Sequence, residues 1–345
     1  MGNKSYPKRR SRRRKNEFLR FFVLPLAVML LIFTVAVCFV LGVFDGGDGT
    51  DAESDSSTET DEATDAPTDT ESEAAAAETT EAAADDTTED STDTVDFDTL
   101  YGALCEAIDA LGREVGICAY DLSSGYSFSY NSDYEIWCAS SIKAAYVYYV
   151  CRLVDSGEAS LSDVLTYTSS DTVYGDGSIA ARGIGSTFTL EEAIHYTVNI
   201  SDNEGYYMLV RYYGRSDFDS LMTSLGCDSL KISAGKYPDI TAEDLCKIWR
   251  EIYAYSTETE TGAWLYSEFL SVSYMRFISD ATGYETANKD GWASPSCNAA
   301  GVVYGKNSAY VLVVLSEGSY WTIDLDSYDA IICAVDAIME AGEEE

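Results

Sequence analysis

Cys138-Ala139-Ser140-Ser141-Ile142-Lys143 runs directly into an apolar stretch, Ala144 to Val150. This order of residues places a hydroxyl and an amine three positions apart at the start of a buried helix. Residues at i and i+3 share a helix face, so the Ser140 oxygen and the Lys143 amine can meet. Serine is a poor nucleophile at neutral pH and needs an adjacent base. A lysine serves as that base when burial or neighbouring cations remove about three units from its basicity, roughly 4 kcal/mol of differential solvation. A helix rich in Ala, Val and Tyr is a place for that. On its own the S-x-x-K spacing arises by chance in most chains of this length, so its meaning depends on the rest of the sequence.

The 345 residues divide by charge. Residues 1–20 carry nine Lys/Arg against one Glu, and residues 21–44 carry no charge. Between Asp45 and Asp98 there are 21 acidic residues and no basic one. The apolar run of 24 residues would be roughly 36 Å long as a helix, enough to cross a bilayer. It is longer than a signal-peptide core and lacks a small-x-small cleavage site. The basic block from Lys8 to Lys15 marks the cytoplasmic side, so the chain after residue 44 is expected outside the cell. That block lies beside the span, and the acidic remainder repels phosphate, so nucleic acid is excluded as a partner. Residues 45–97, almost devoid of large apolar side chains, read as a disordered tether. The expected organisation is therefore a basic cytoplasmic tail (1–20), a transmembrane helix (21–44), an acidic linker (45–97) and one folded domain (98–345).

Within that domain, Phe97 to Leu111 has helical periodicity, and Glu114 to Tyr120 and Tyr126 to Tyr130 form a hairpin around Ser123-Ser124-Gly125. Helices follow Ser140, Thr189 and Thr241, with Thr189 and Thr241 as N-caps. Strands are expected at Thr286–Gly291, Ala300–Tyr304 and Tyr310–Leu315, then a last helix over Ser327–Glu340. The fold class is α+β: a five-stranded antiparallel sheet built from both ends of the domain, with an all-helical lobe inserted. Eight cysteines follow the span, none in a C-x-x-C, and His195 is the sole histidine, so no metal site is expected. Buried thiols and disulfides both remain open, among the latter a bridge from Cys138 to Cys297.

Two further short motifs follow the first in order: Ser201-Asp202-Asn203, in a loop between helices, and Lys289-Asp290-Gly291, near the end of a strand. The ordered set resembles the penicillin-recognising serine enzymes, the class A β-lactamase and DD-peptidase family with its S-x-x-K, S-D-N and K-T-G motifs. The resemblance spans about residues 98–342 and includes Tyr120-Asp121-Leu122, Tyr130-Asn131-Ser132-Asp133 and Asn298-Ala299-Ala300-Gly301-Val302. It implies Ser140 as the acylated nucleophile, Lys143 as its base and Ser201 as the proton relay. It also implies Asn203, Lys289, Gly291 and Trp292 on the substrate, with the N–H groups of Ser140 and Trp292 as the oxyanion hole. No cofactor is implied. The substrate would be a β-lactam or a peptidoglycan peptide. Without histidine, a hydroxyl–amine pair plus a second hydroxyl and a lysine suits acyl transfer on chemical grounds as well.

The sequence departs from that pattern twice. Cys227 to Thr241 is short, lacks E-x-x-L-N, and offers only Asp228 and Asp239 as acids. A missing general base costs 10²–10⁴ in rate, so an acyl-enzyme is expected to persist. Asp290 replaces the Thr of K-T-G, where a carboxylate would repel an anionic substrate or neutralise Lys289. Two functions stay open: a membrane-anchored serine hydrolase, D-Ala-D-Ala carboxypeptidase activity included, and a sensor module that binds wall fragments or β-lactams with little or no turnover.

Overall fold

Strand β10 (Ala309–Glu317) decides the architecture, because its alternate residues enter different cores. Val311, Val313 and Leu315 face one cluster, Tyr310, Leu312 and Val314 the other. A strand covered on both faces must be apolar throughout, and seven consecutive β10 residues are buried. The computed structural model describes residues 96–175 and 177–342. The basic tail, the apolar span and nearly all of the acidic tether lie outside them. Among the described residues no helix is long and apolar enough to cross a membrane.

The sheet runs β2 (Ser127–Tyr130), β1 (Val115–Asp121), β10, β9 (Ser296–Tyr304), β7 (Thr286–Asn288), antiparallel at every step. It has six strands rather than five: the expected Thr286–Gly291 strand is two, β7 and β8 (Gly291–Trp292), both paired with β9. The break falls at Lys289-Asp290, where the Asp290 carboxylate takes the Ala300 N–H at 3.1 Å. β9 also begins earlier than expected, since the small residues Ser296 to Ala299 carry little strand signal yet are fully buried.

Helix α1 (Phe97–Leu111) and the final helix α9 (Leu325–Ala341) cover one face of the sheet, together with the short helix α8 (Phe277–Thr282). Asp96 caps α1, and Gly112 ends it in the left-handed region at φ 64°. The other face carries the helical lobe: α2 (Ile142–Ser156), α3 (Leu190–Asn199), α4 (Asn203–Tyr213), α5 (Ser216–Ser224), α6 (Ala242–Glu258) and α7 (Glu260–Leu270). Ten consecutive α2 residues, Ile142 to Cys151, are buried. A helix apolar on all sides belongs at the centre of a core, and each large side chain so buried contributes about 1.5–3 kcal/mol. Thr189 forms a full capping box with Glu192, and Thr241 caps α6. Helix α7 has a polar start, Glu260-Thr261-Gly262, and no apolar stripe strong enough to be read from sequence.

The two-residue strands β3 (Ile136–Trp137) and β6 (Asp239–Ile240) pair with each other beside the start of α2. Strands β4 (Val164–Thr166) and β5 (Thr187–Thr189) close a small hairpin in the lobe. All eight described cysteines are thiols, Cys138 and Cys297 among them, so the Cys138–Cys297 bridge is not formed.

Candidate active site

Ser140 lies on a 3-10 turn, Ala139–Ser141, that precedes α2 rather than inside the helix. Four hydrogen bonds hold this turn. Asn298 on β9 donates its amide to the Trp137 and Cys138 carbonyls, both at 2.9 Å. The Cys138 N–H donates to Pro238 O at 3.0 Å, and Ser141 Oγ donates to Cys138 O at 2.7 Å. Ala139 is held at φ 45°, a left-handed conformation costing an L-residue about 1–2 kcal/mol, which the surrounding contacts sustain.

Gly291 on β8 lies directly over this turn. A Cβ there would approach Cys138 O to 2.6 Å, Ser141 N to 2.7 Å and Ser140 N to 2.8 Å. Only glycine allows such backbone-to-backbone contact, which explains the third residue of the third motif. The peptide linking Gly291 to Trp292 therefore begins beside the Ser140 amide.

Lys143, fully buried, donates from Nζ to Ser201 O at 2.6 Å, Ser201 Oγ at 3.2 Å and Asn203 Oδ1 at 2.7 Å. Ser201 has φ 59°, so its carbonyl and its hydroxyl both turn toward the lysine. From the opposite side Lys289 Nζ donates to Ser201 Oγ at 3.0 Å and to Asp290 O at 3.1 Å. The structure thus gathers Lys143, Ser201, Asn203 and Lys289 into one hydrogen-bonded cluster, with the Ser140 turn and Gly291 adjoining through α2 and β8. Trp292 follows Gly291 on β8, where it pairs with Cys297. Its ring packs outward against Tyr320 (4.8 Å) and Trp321 (5.4 Å).

Asp202, the middle residue of the second motif, does not face the cluster. It caps α4 through Gly205 N–H at 2.9 Å and receives the Ser178 and Ile179 N–H groups at 2.5 and 2.9 Å. The loop around Gly175 and Gly177 thereby closes over the motif. A Cβ on Gly175 would overlap the Asn203 amide, and one on Gly177 would reach the Asp202 carboxylate at 2.6 Å.

Asp290 does not project into the cleft. Its carboxylate accepts from Phe277 N–H at 2.8 Å and from Ala300 N–H, and the residue is 3% exposed. Burial raises its carboxyl to about 7, against the opposing pull of the two N–H groups and Lys289. The expected clash with an anionic substrate has no basis in this geometry, because Asp290 points to the sheet interior and Lys289 to the cleft.

Two residues stand at the site that the motifs did not announce. Asn298 is one, outside the three motifs although within the Asn298-Ala299-Ala300-Gly301-Val302 stretch that carries the resemblance. Tyr237 is the other: its hydroxyl donates to Asn203 Oδ1 at 2.9 Å, and its ring packs on Trp137, Tyr206 and Tyr207. Burial pushes the Tyr237 phenol far above its ordinary range, so it remains a donor at any working pH. It comes from the short Cys227–Thr241 segment, whose acids lie elsewhere: Asp228 is exposed and pairs with Lys231 at 2.5 Å, and Asp239 is exposed on β6.

An antiparallel sheet with a helical lobe, and a lysine–serine–asparagine–lysine cluster between them, defines the architecture of the penicillin-recognising serine hydrolases. The family profile Beta-lactamase2, described as the beta-lactamase enzyme family, matches residues 100–339, and the chain belongs to that family. Among solved structures, a beta-lactamase from Sphaerobacter thermophilus is 22% identical, with a TM-score of 0.62, over 72% of this chain and 98% of that one. PBP-A is 19% identical with a TM-score of 0.62, over 71% of this chain and 97% of its own. A class A beta-lactamase from Mycobacterium abscessus is 19% identical with a TM-score of 0.61, over 71% and 99%. At these identities the likeness is one of fold. No curated protein sequence matches the chain.

Proposed function

We propose that this protein is a serine acyl-transfer hydrolase that is acylated on Ser140 by β-lactams or peptidoglycan peptides and releases the acyl group slowly. The carrying observation is the cluster in which Lys143 and Lys289 both donate to Ser201 Oγ. Acyl transfer needs a base for the attacking hydroxyl, a proton path to the leaving nitrogen and donors for the oxyanion. Lys143 is the base, and Ser201, linked to it, carries the proton onward. The N–H groups of Ser140 and Trp292, brought close by Gly291, receive the oxyanion, and such donors are worth roughly 3–4 kcal/mol each. Asn203 orients the substrate amide, and Lys289 offers positive charge to its carboxylate.

Slow release follows from what stands beside Asn203. A phenol that stays protonated occupies that position, and a protonated phenol cannot take a proton from water. PBP-A, one of the fold relatives, has been captured in a mutant form as an acyl-enzyme with penicillin G, which supports a penicillin as probe here. The uncharged run 21–44 and its basic flank support a single-pass anchor, cytoplasmic N-terminus and extracellular hydrolase domain.

Intact mass spectrometry after adding a penicillin tests the reading. A lasting adduct that maps to Ser140 and vanishes in Ser140→Ala is the expected result. An adduct that decays with antibiotic loss would make the protein an efficient β-lactamase. No adduct with either a penicillin or an acyl-D-Ala-D-Ala peptide would sink the proposal.

A further inference from the structure

Strand β1 and helix α6 run alongside each other in matched steps. A Cβ on Gly116 would lie 3.7 Å from Ala242 Cβ, within the 3.5–4.5 Å that a disulfide requires between its β-carbons. Two residues along a strand advance about 6.6 Å and four along a helix about 6 Å, so the spacing is preserved one step further on. That step brings Cys118 to Cys246, whose thiols lie close enough to perturb each other. The next step brings Tyr120 to Arg250, whose guanidinium sits 3.6 Å from the ring centre. The pair is therefore bracketed by a contact on each side, in one register.

From this register we infer that Cys118 and Cys246 are a redox-active pair, closing to a disulfide that staples the sheet to the helical lobe when a small disulfide is available. The two thiols are unequal in access and in acidity. Cys118 is partly exposed, whereas Cys246 is 2% exposed. The neighbouring Cys246 thiol holds the Cys118 thiol low, with Arg250 and Lys247 assisting against burial and Glu243. The Cys118 thiol and burial push Cys246 up. Cys118 is thus the attacking thiolate.

Its sulfur displaces one half of the small disulfide as a thiol, leaving a mixed disulfide on Cys118. Cys246 then gives up its proton, attacks the Cys118 sulfur and releases the second half as a thiol. Two protein thiols are oxidised and one external disulfide is reduced to two thiols. The staple acts close to the site: Thr241, the cap of α6, directly follows the segment that lays Tyr237 on Asn203.

The full-length chain, incubated with oxidised glutathione, alkylated without reduction and digested, tests this. The Cys118 and Cys246 peptides should appear joined, and the oxidised protein should melt at a higher temperature than the reduced one. In Cys246→Ala, Cys118 should be trapped as its glutathione adduct. In Cys118→Ser, Cys246 should remain a thiol. Wild-type protein in which both cysteines alkylate as thiols, or in which Cys118 keeps glutathione beside a free Cys246, would overturn the proposal. So would a bridge from either one to a different cysteine. The wild-type map decides the matter even if a variant fails to fold.

Discussion

Lys143 and Lys289 approach one oxygen from opposite sides, at 3.2 and 3.0 Å from Ser201 Oγ. One lysine comes from the helix after the candidate nucleophile and the other from the interrupted edge strand, so the hydroxyl between them joins the lobe to the sheet. A hydrogen bond involving a charged group contributes about 1.5–3 kcal/mol, or roughly 10–100-fold in rate if it is made in the transition state. Lys289→Met should therefore slow adduct formation at Ser140 by roughly 10–100-fold without removing it, because Lys143 remains on Ser201. Ser201→Ala should cost at least as much. Acylation at the parental rate in Lys289→Met, followed by time-resolved intact mass, would remove Lys289 from the chemistry.

Tyr237 separates packing from chemistry. Tyr237→Phe keeps the ring on Trp137 and Tyr206 and deletes only the donor to Asn203, so it should cost about 1 kcal/mol of stability. Tyr237→Glu sets a carboxylate where water could be activated, and a positioned base contributes about 10²–10⁴ in rate. The expected outcome is an acyl-enzyme that forms as before but decays at least tenfold faster, about ten times short of the low end of that range because placement is imperfect. Adduct lifetimes equal in the parent and the Glu variant would show that Tyr237 does not limit release.

How much of this was legible in the sequence depends on which kind of signal each part carries. Periodicity marked β1, β2, β10, α1, α6 and α9, because each has one dominant apolar pattern. The three motifs marked Lys143, Ser201, Asn203, Lys289 and Gly291, which the fold brings together around the Ser140 turn. Asp290 was misleading. Side-chain direction at a strand break follows from the backbone, and nothing in Lys289-Asp290-Gly291 says that the carboxylate replaces a ladder acceptor for Ala300. Tyr237 was silent for a related reason, since one tyrosine among 26 gains meaning only from what folds against it, whereas Asn298 stood in a stretch that carries the resemblance but took on a role only with the turn it holds.

The contact of Gly291 with the nucleophile turn is a strict requirement. In Gly291→Ala the new methyl meets backbone atoms of Cys138, Ser140 and Ser141, none of which can rotate away. β8 must back off, and a shift of about 1 Å near the chemistry costs on the order of 10²-fold. Overpacking of this kind destabilises by about 1–3 kcal/mol. The expected variant is folded by circular dichroism, melts lower, and acylates about a hundredfold more slowly. Parental acylation would show that the close approach serves packing alone.

Asp290 gives the protein a pH dependence of unusual sign for an acid. Its carboxyl rises from 3.8 to about 7 on folding, so between those values the folded state holds a proton that the unfolded chain has lost. Stability falls with pH wherever the native state binds more protons. The contribution of this group is thus complete below about pH 4, declines through the interval and is gone above about pH 7, with a total of roughly 4 kcal/mol. Acids held low by hydrogen bonds, such as Asp155 and Asp171, act in the opposite direction, so the measurement must be a difference. Asp290→Asn removes the titration and turns an amide N–H toward a backbone donor, either Phe277 or Ala300. The variant should be clearly less stable than the parent at pH 5, and the gap should close by roughly 2–3 kcal/mol toward pH 8, the part of the proton's contribution that is lost between those two values. Urea unfolding of both proteins from pH 5 to 8 reads this directly. A gap that stays constant with pH would mean that Asp290 is ionised throughout, with Phe277, Ala300 and Lys289 outweighing its burial.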